Sequence, residues 1–402
     1  MTIGLLLVLL PLFFFKYYNF VNESIFSLLE LTGLRWHLPQ INWMLPIGIS
    51  FYTFMAIGYI VDVYNEEIEA EKNLGLITLF LSYFPLVLSG PIERAPSMLP
   101  QFKKKMEFNY PMVVTGLQMI LWGYFMKLVV ADRLSVYIDP IISSIDQHSG
   151  GTIFLATLLY PMQIYCDLGG YSLIAIGAAS VMGLKVRPNF NRPFFAMSVS
   201  EFWRRWHMSL ISWILDYVYT PLSFMLRKYK MKGVVFTITL TLFIMGMWHG
   251  ARLTFLVWAF YQGFFISLEA ITKKRKSEIE RRFNLTKKVW YILISIIITY
   301  IIFAFSFLTG GIRHTVSEGI LAVIKMFTHF GPVYIDKTVL LYAFLGIAIL
   351  LISEFRDEFY PNKFLFFNNK NVIIRWLSYF SVLLVIFIFG VFKGSNFIYF
   401  NF

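Results

Sequence analysis

Residues 200–210 read SEFWRRWHMSL, and residues 244–263 read IMGMWHGARLTFLVWAFYQG. Together they set two histidines, His207 and His249, in or beside segments too apolar to lie comfortably in water. Ionisable groups at membrane depth are costly and rare, so they mark functional sites by default. Whether these two do so depends on the sequence around them.

Of the 402 residues, 58% are hydrophobic, 19% aromatic and 14% charged, where a soluble domain carries about 25% charged residues. Apolar runs approaching the roughly 20 residues that cross about 30 Å of hydrocarbon are spread from end to end. They leave no room for a soluble domain. The expected fold is all-α, a polytopic membrane protein forming one membrane-embedded domain over residues 1–402. The net charge of +12 is carried in short loops between apolar spans, as the positive-inside rule describes. It reads as topology, not as a surface for nucleic acid. The single cysteine, Cys166, excludes an internal disulfide and a multi-cysteine metal site.

The opening MTIGLLLVLLPLFFFKYYNF has no basic leader and no small-residue cleavage site, and is expected to be a short first span. A second span covers residues 43–64, with a kink at Pro46 and Gly48, and an acidic loop covers 65–72. A third span, 74–90, ends in SGPIERAPSMLPQFKKK, whose Lys103, Lys104 and Lys105 predict the cytoplasmic side. After a span at 111–130 and a nearly neutral loop at 132–151, residues 152–184 are apolar except at Asp167, Gly169 and Gly170. One long kinked helix and two helices meeting at a break both fit. Either way Asp167 needs a partner.

Residues 185–205 are polar and basic, 208–226 look interfacial, and 227–232 are basic again. Two apolar segments, 234–248 and 253–271, flank His249, and TKKRKSEIERRFNLTKK after them is the strongest cytoplasmic signal. His249 is therefore expected at the apex of a hairpin. About 15 residues at about 1.5 Å each rise only about 22 Å, which predicts an apex inside the membrane, nearer its outer half. Apolar segments at 289–308, 316–330, 339–353 and 372–392 bring the expected count to ten or eleven.

His37, His148, His314 and His329 fall in loops or near amphipathic ends and are read as solvated or interfacial. For His249 two readings stand: a buried imidazole locking a turn built by Gly246, Gly250 and Trp248, or a base. With a pKa near 6.5, a histidine can take a proton from a hydroxyl nucleophile and return it, and a dry site keeps it neutral. His207 follows Trp203, Arg204, Arg205 and Trp206. That run is either an interfacial anchor, or a place where Arg204 and Arg205 bind the phosphates of an acyl carrier while His207 orients the reacting group. Asp167 is expected to pair with one of these arginines or to fix a histidine tautomer. No Walker loop, dinucleotide fingerprint or nucleophile elbow is present, and two histidines about 42 residues apart, with no ligand pair at helical spacing, make a weak zinc case.

EFWRRWHMSL followed by WHGARLTFLVWAFYQG resembles the paired signature of the membrane-bound O-acyltransferases. PIGISFYTFMAIGYIVDVY, SGPIERA, QIYCDLGGYSLIAIG, NFNRPFF and the terminal FIYFNF are similar to the bacterial branch that acetylates alginate and other exopolysaccharides. The resemblance runs from about residue 45 to 402. It implies a bundle of tilted, broken helices around a central tunnel in a bacterial inner (cytoplasmic) membrane, in contact with lipid. It implies transfer of an acyl group, expected to be acetyl, from acetyl-CoA or another cytoplasmic acyl thioester, with no bound cofactor and no metal. The acceptor is expected to be a hydroxyl of an extracellular polysaccharide or cell-wall polymer, or an extracytoplasmic acetyltransferase partner that completes the transfer.

In that family His249 is the catalytic position and His207 the second invariant one. Arg204, Arg205, Trp248 and Asp167 become candidates for substrate binding. Two departures stand beside the match. Relatives usually begin with additional N-terminal helices, whereas this chain starts close to what looks like their third. DYVYTPLSFMLRKYKMKG, residues 216–233, is nearer the D-alanyl transfer proteins of teichoic acids, so a D-alanyl transferase fed by an acyl carrier protein is the alternative. A transporter with a histidine relay is the non-enzymatic rival.

Overall fold

The computed structural model describes all residues except 34–37, 42, 44–45, 89, 251, 309–314, 362, 364–365 and 395–402. His37, His314 and the terminal FIYFNF lie outside the described residues. The described elements are all helical. In chain order they are α1 (Thr2–Glu30), α2 (Ile49–Tyr64), α3 (Leu74–Ser82), α4 (Phe84–Val87) and α5 (Ala95–Lys103). Then come α6 (Tyr110–Ser143), α7 (Gly150–Val181), α8 (Val199–Arg205), α9 (Met208–Ile214), α10 (Thr220–Met225) and α11 (Lys230–His249). The chain continues through α12 (Leu253–Arg282), α13 (Val289–Ser306), α14 (Val316–Thr328), α15 (Lys337–Phe359) and α16 (Val372–Phe389).

Eight of these, α1, α6, α7, α11, α12, α13, α15 and α16, are long and apolar enough to cross a membrane, and α2 is a shorter apolar helix. Besides α2, two elements counted among the expected ten or eleven do not qualify. Residues 74–90 break into α3 and α4 at Tyr83, whose ψ of 105° is not helical, just ahead of Pro85. The segment that follows returns to where it began: Lys103 Nζ meets Glu71 at 2.5 Å. The stretch from α3 to α5 is thus re-entrant, and it puts the 65–72 loop on the same face as the lysines after α5. Lys103 and the Asn73 amide hold the Glu71 carboxyl below the usual carboxylate range. The second element is α14, whose end docks on the start of α7, with the Gly150 amide donating to the His329 carbonyl.

Two further expectations change in detail, and one open choice is decided. The first span is not short, because α1 runs 29 residues. Residues 150–181 form one continuous helix, with Asp167, Gly169 and Gly170 inside it. The first leg of the His249 hairpin has 20 residues, or about 30 Å at 1.5 Å per residue. On length that leg reaches across the hydrocarbon, where a 15-residue leg would stop short. Its second leg stays helical through the basic run to Arg282.

Helix ends that should share a face do touch. Glu358, at the end of α15, pairs with Arg192 and with Arg205 at 2.8 and 2.9 Å. At the other face the Tyr137 hydroxyl donates to the Tyr334 carbonyl at 2.7 Å.

The centre of the bundle is the pair α6 and α7. Their backbones meet at two places seven residues apart on each helix. A Cβ on Gly116 would lie 2.5 Å from the Gly177 carbonyl oxygen, and one on Gly123 would lie 2.6 Å from that of Gly170. With no hydrophobic drive between helices in lipid, such small-residue contacts supply the packing. Between these helices lies a buried ion cluster, in which Lys127 Nζ is 2.6 Å from Asp167 and 2.7 Å from Asp132.

Candidate active site

His207 occupies the joint between α8 and α9, with a left-handed backbone (φ 44°, ψ 49°). That region is uncommon for a residue with a Cβ and is held only where the surroundings over-determine it. Here they do. The Met208 amide donates to the Asn189 carbonyl at 2.7 Å. The Ser209 hydroxyl donates to Asn189 Oδ1 at 2.8 Å, and Asn189 Nδ2 donates to Ser172 Oγ on α7 at 2.8 Å. Ser209 Oγ in turn accepts from the Ile92 amide at 3.0 Å. The NFNRPFF loop, α7 and the re-entrant segment thus converge on the turn. The imidazole is buried, with 3% of the residue exposed, and the Phe190 ring lies 6.0 Å away.

His249 is the last residue of α11. Gly250 and Arg252 are extended, and α12 starts at Leu253. The legs cross closely at Gly246, where a Cβ would lie 2.7 Å from the Phe255 carbonyl oxygen. His249 is half-buried. The Trp248 ring is 4.9 Å away, Trp258 5.5 Å and Phe255 6.0 Å. Trp248 also lies 6.5 Å from the His207 ring, so both histidines adjoin one indole. Phe54 stacks between Trp248, at 5.2 Å, and Trp213, at 4.1 Å. The Trp213 indole N–H donates to the Phe54 carbonyl, which fixes α9 to α2.

A cavity of about 640 Å³ opens beside α8, α11 and α12. Its rim carries Arg204, Lys273 and Lys276, and its lining runs inward past Ile238 and Leu242 to Met245 and Trp203. Trp203 packs edge-on to Trp258 at 5.7 Å, and Trp258 adjoins His249. The cavity thus leads from the basic face to Trp203, and Trp258 stands between Trp203 and His249. Along this path Thr241 Oγ1, Trp258 Nε1 and Gln262 Nε2 are buried without a hydrogen-bond partner among the described residues. A buried polar atom left unpaired costs about 1–3 kcal/mol, and of these three residues Thr241 lines the cavity.

The structure brings His207, Trp248 and His249 together and puts Arg204, exposed, on the cavity rim. It places the remaining candidates elsewhere. Arg205 is engaged by Glu201 and Glu358, at 2.8 and 2.9 Å, so its guanidinium holds α8 to α15. Asp167 makes its ion pair with Lys127, where an arginine or histidine was expected. His148 lies 3.4 Å from Ser144 Oγ, and His329 is exposed beside Thr328. Sequence reasoning passed over Asn189, Ser209, Lys127 and Glu358. Asn189 and Ser209 carried a signal, since the first opens NFNRPFF and the second lies in EFWRRWHMSL.

Residues 70–309 match the family described as MBOAT, membrane-bound O-acyltransferase family. The chain is 34% identical over 273 residues to the probable alginate O-acetylase of Azotobacter vinelandii, covering 67% of this chain and 53% of that protein. It is 30% identical over 312 residues to the peptidoglycan O-acetyltransferase of Helicobacter pylori, covering 71% and 57%. It is 26% identical over 307 residues to the teichoic acid D-alanyltransferase of Bacillus subtilis, covering 74% of each. The chain spans about half the length of the alginate relatives it matches.

Proposed function

The chain belongs to the membrane-bound O-acyltransferase family, and from that premise we propose that it is an O-acyltransferase moving an acetyl group from a thioester donor to a hydroxyl acceptor. The acceptor is a polysaccharide or cell-wall polymer, or a partner acetyltransferase that completes the transfer. The donor is acetyl-CoA or another acyl thioester entering from the basic, cytoplasmic face of a bacterial inner membrane. One observation carries this reading: the cavity from the basic face reaches Trp203, whose neighbour Trp258 adjoins His249.

In this reading the His249 imidazole takes the proton of the acceptor hydroxyl as its oxygen attacks the thioester carbonyl carbon. The tetrahedral intermediate then collapses, the C–S bond breaks, and the leaving thiolate takes the proton back from the imidazolium. An ester and a free thiol result. His207, locked in its left-handed turn, orients the reacting group. Arg204 meets the donor's phosphates at the rim, and Trp248 forms the wall shared by the two histidines. Arg205 and Asp167 support the site through their ion pairs.

The match over 74% of the Bacillus subtilis D-alanyltransferase favours a second reading, in which D-alanine arrives on a carrier protein. Proteoliposomes given labelled acetyl-CoA on the basic face, with a hydroxyl-bearing polymer on the other, should esterify the polymer. Label passing only from a D-alanyl carrier protein selects the second reading. Label passing from neither contradicts both.

A further inference from the structure

The last turn of a helix presents carbonyls with no helical amide ahead of them, and α11 ends at His249 itself. Two of its final carbonyls are met from α1. Lys16 Nζ donates to the Trp248 carbonyl at 2.6 Å, and the Tyr17 hydroxyl donates to the Met247 carbonyl at 2.8 Å. The Lys16 ammonium also lies 5.8 Å from the centre of the Trp248 ring and 3.5 Å from Ser50 Oγ in the first turn of α2.

Both donors come from a wide, π-type turn, Phe13–Tyr17, set into α1, where the backbone at Tyr17 (φ −113°, ψ −18°) is stretched within the right-handed helical region. Such insertions frequently occur at functional sites. Consecutive residues of a regular helix diverge by about 100°. At this distorted turn two neighbours nevertheless reach the same helix end. A cation there is favoured by the helix dipole, and its placement over the indole adds a cation–π contact. The family match begins at residue 70, so neither residue belongs to the segment that carries it.

We propose that Lys16 and Tyr17 are positioning residues for His249: a cap supplied by α1 that fixes the last turn of α11 and with it the direction of the imidazole. The proposal rests on the reading of His249 as the base. Without the cap the Met247–His249 turn is free to fray, and the ring leaves its line to the acceptor hydroxyl. Donor binding, made at the cavity rim on the opposite face, is untouched. The effect therefore falls on kcat and not on KM.

The test is kcat and KM for the labelled donor that supports wild-type turnover, with the full chain in proteoliposomes. Lys16→Met should lower kcat by about ten- to hundredfold, the scale of an ångström-size misplacement, with KM for the donor within about twofold of wild type. Lys16→Arg, which keeps a cationic donor, should recover most of the loss, and Tyr17→Phe should show a smaller loss. Asn22→Ala, which removes a bond to the Leu38 carbonyl elsewhere on α1, should leave both constants unchanged. A wild-type kcat for Lys16→Met beside an inactive His249→Ala overturns the cap alone. Full turnover by His249→Ala overturns the base, whatever Lys16 does. If Lys16→Met does not accumulate as folded protein, Tyr17→Phe carries the test, and a wild-type kcat there overturns the proposal.

Discussion

Lys127 shows what a single side chain can demand of a membrane bundle. It lies in the apolar run YFMKLVV, and its ammonium is shared by Asp132 and Asp167. Each of the three side chains is at most 8% exposed. Charges this far from water persist because they are paired, and removing one partner leaves the others uncompensated, at a cost of about 3–5 kcal/mol. Lys127→Met should therefore lower the midpoint of thermal unfolding in detergent sharply. Adding Asp167→Asn to it should recover part of the loss, because only one carboxylate then lacks its cation. Equal stability of wild type and Lys127→Met would show that the cluster is not what holds α6 to α7. The need for a partner was legible at Asp167, since a carboxylate among apolar residues is conspicuous. The partner's identity was not, because Lys127 is 40 residues away and looks in sequence like a stray cation near a helix end. His207 was legible as a candidate for the same reason as Asp167. Its left-handed turn was not, because that is imposed by Asn189 and Ser172, both distant in sequence.

At the scale of elements, contacts of glycine on glycine set how closely α6 and α7 approach. Gly123→Ala puts a methyl 2.6 Å from the Gly170 carbonyl oxygen and 2.8 Å from Ile174, so the helices must separate. The expected cost is about 1–3 kcal/mol, read as a lower unfolding midpoint in detergent. Gly263→Ala makes the useful comparison, because its new methyl would meet nothing closer than 3.6 Å and should be tolerated. Similar stability for the two variants would contradict the close crossing. Long helices were readable from hydropathy alone, which is why α7, α13, α15 and α16 fall close to their expected positions. The re-entrant stretch from α3 to α5 was not readable. Its apolar length resembles a span, and its return is set by Tyr83, by the prolines, and by an ion pair between Glu71 and Lys103. The reach of the His249 hairpin was underestimated for a related reason. Lys230 and Lys232 looked like loop, yet they begin the helix.

At the scale of the whole molecule, the turn that carries His249 lies between two parts of the bundle. From the basic face a cavity of about 640 Å³ runs along α11 toward its final turn. From the far side α1 and α2 close over that turn through Lys16, Tyr17 and Phe54. The measurement that tests this account most directly is acyl transfer from the labelled donor by His249→Ala in proteoliposomes, with its unfolding midpoint recorded beside that of wild type. Loss of a general base predicts a fall of about 10²–10⁴-fold in turnover with an unchanged midpoint. Wild-type acyl transfer by the folded His249→Ala protein would contradict the account.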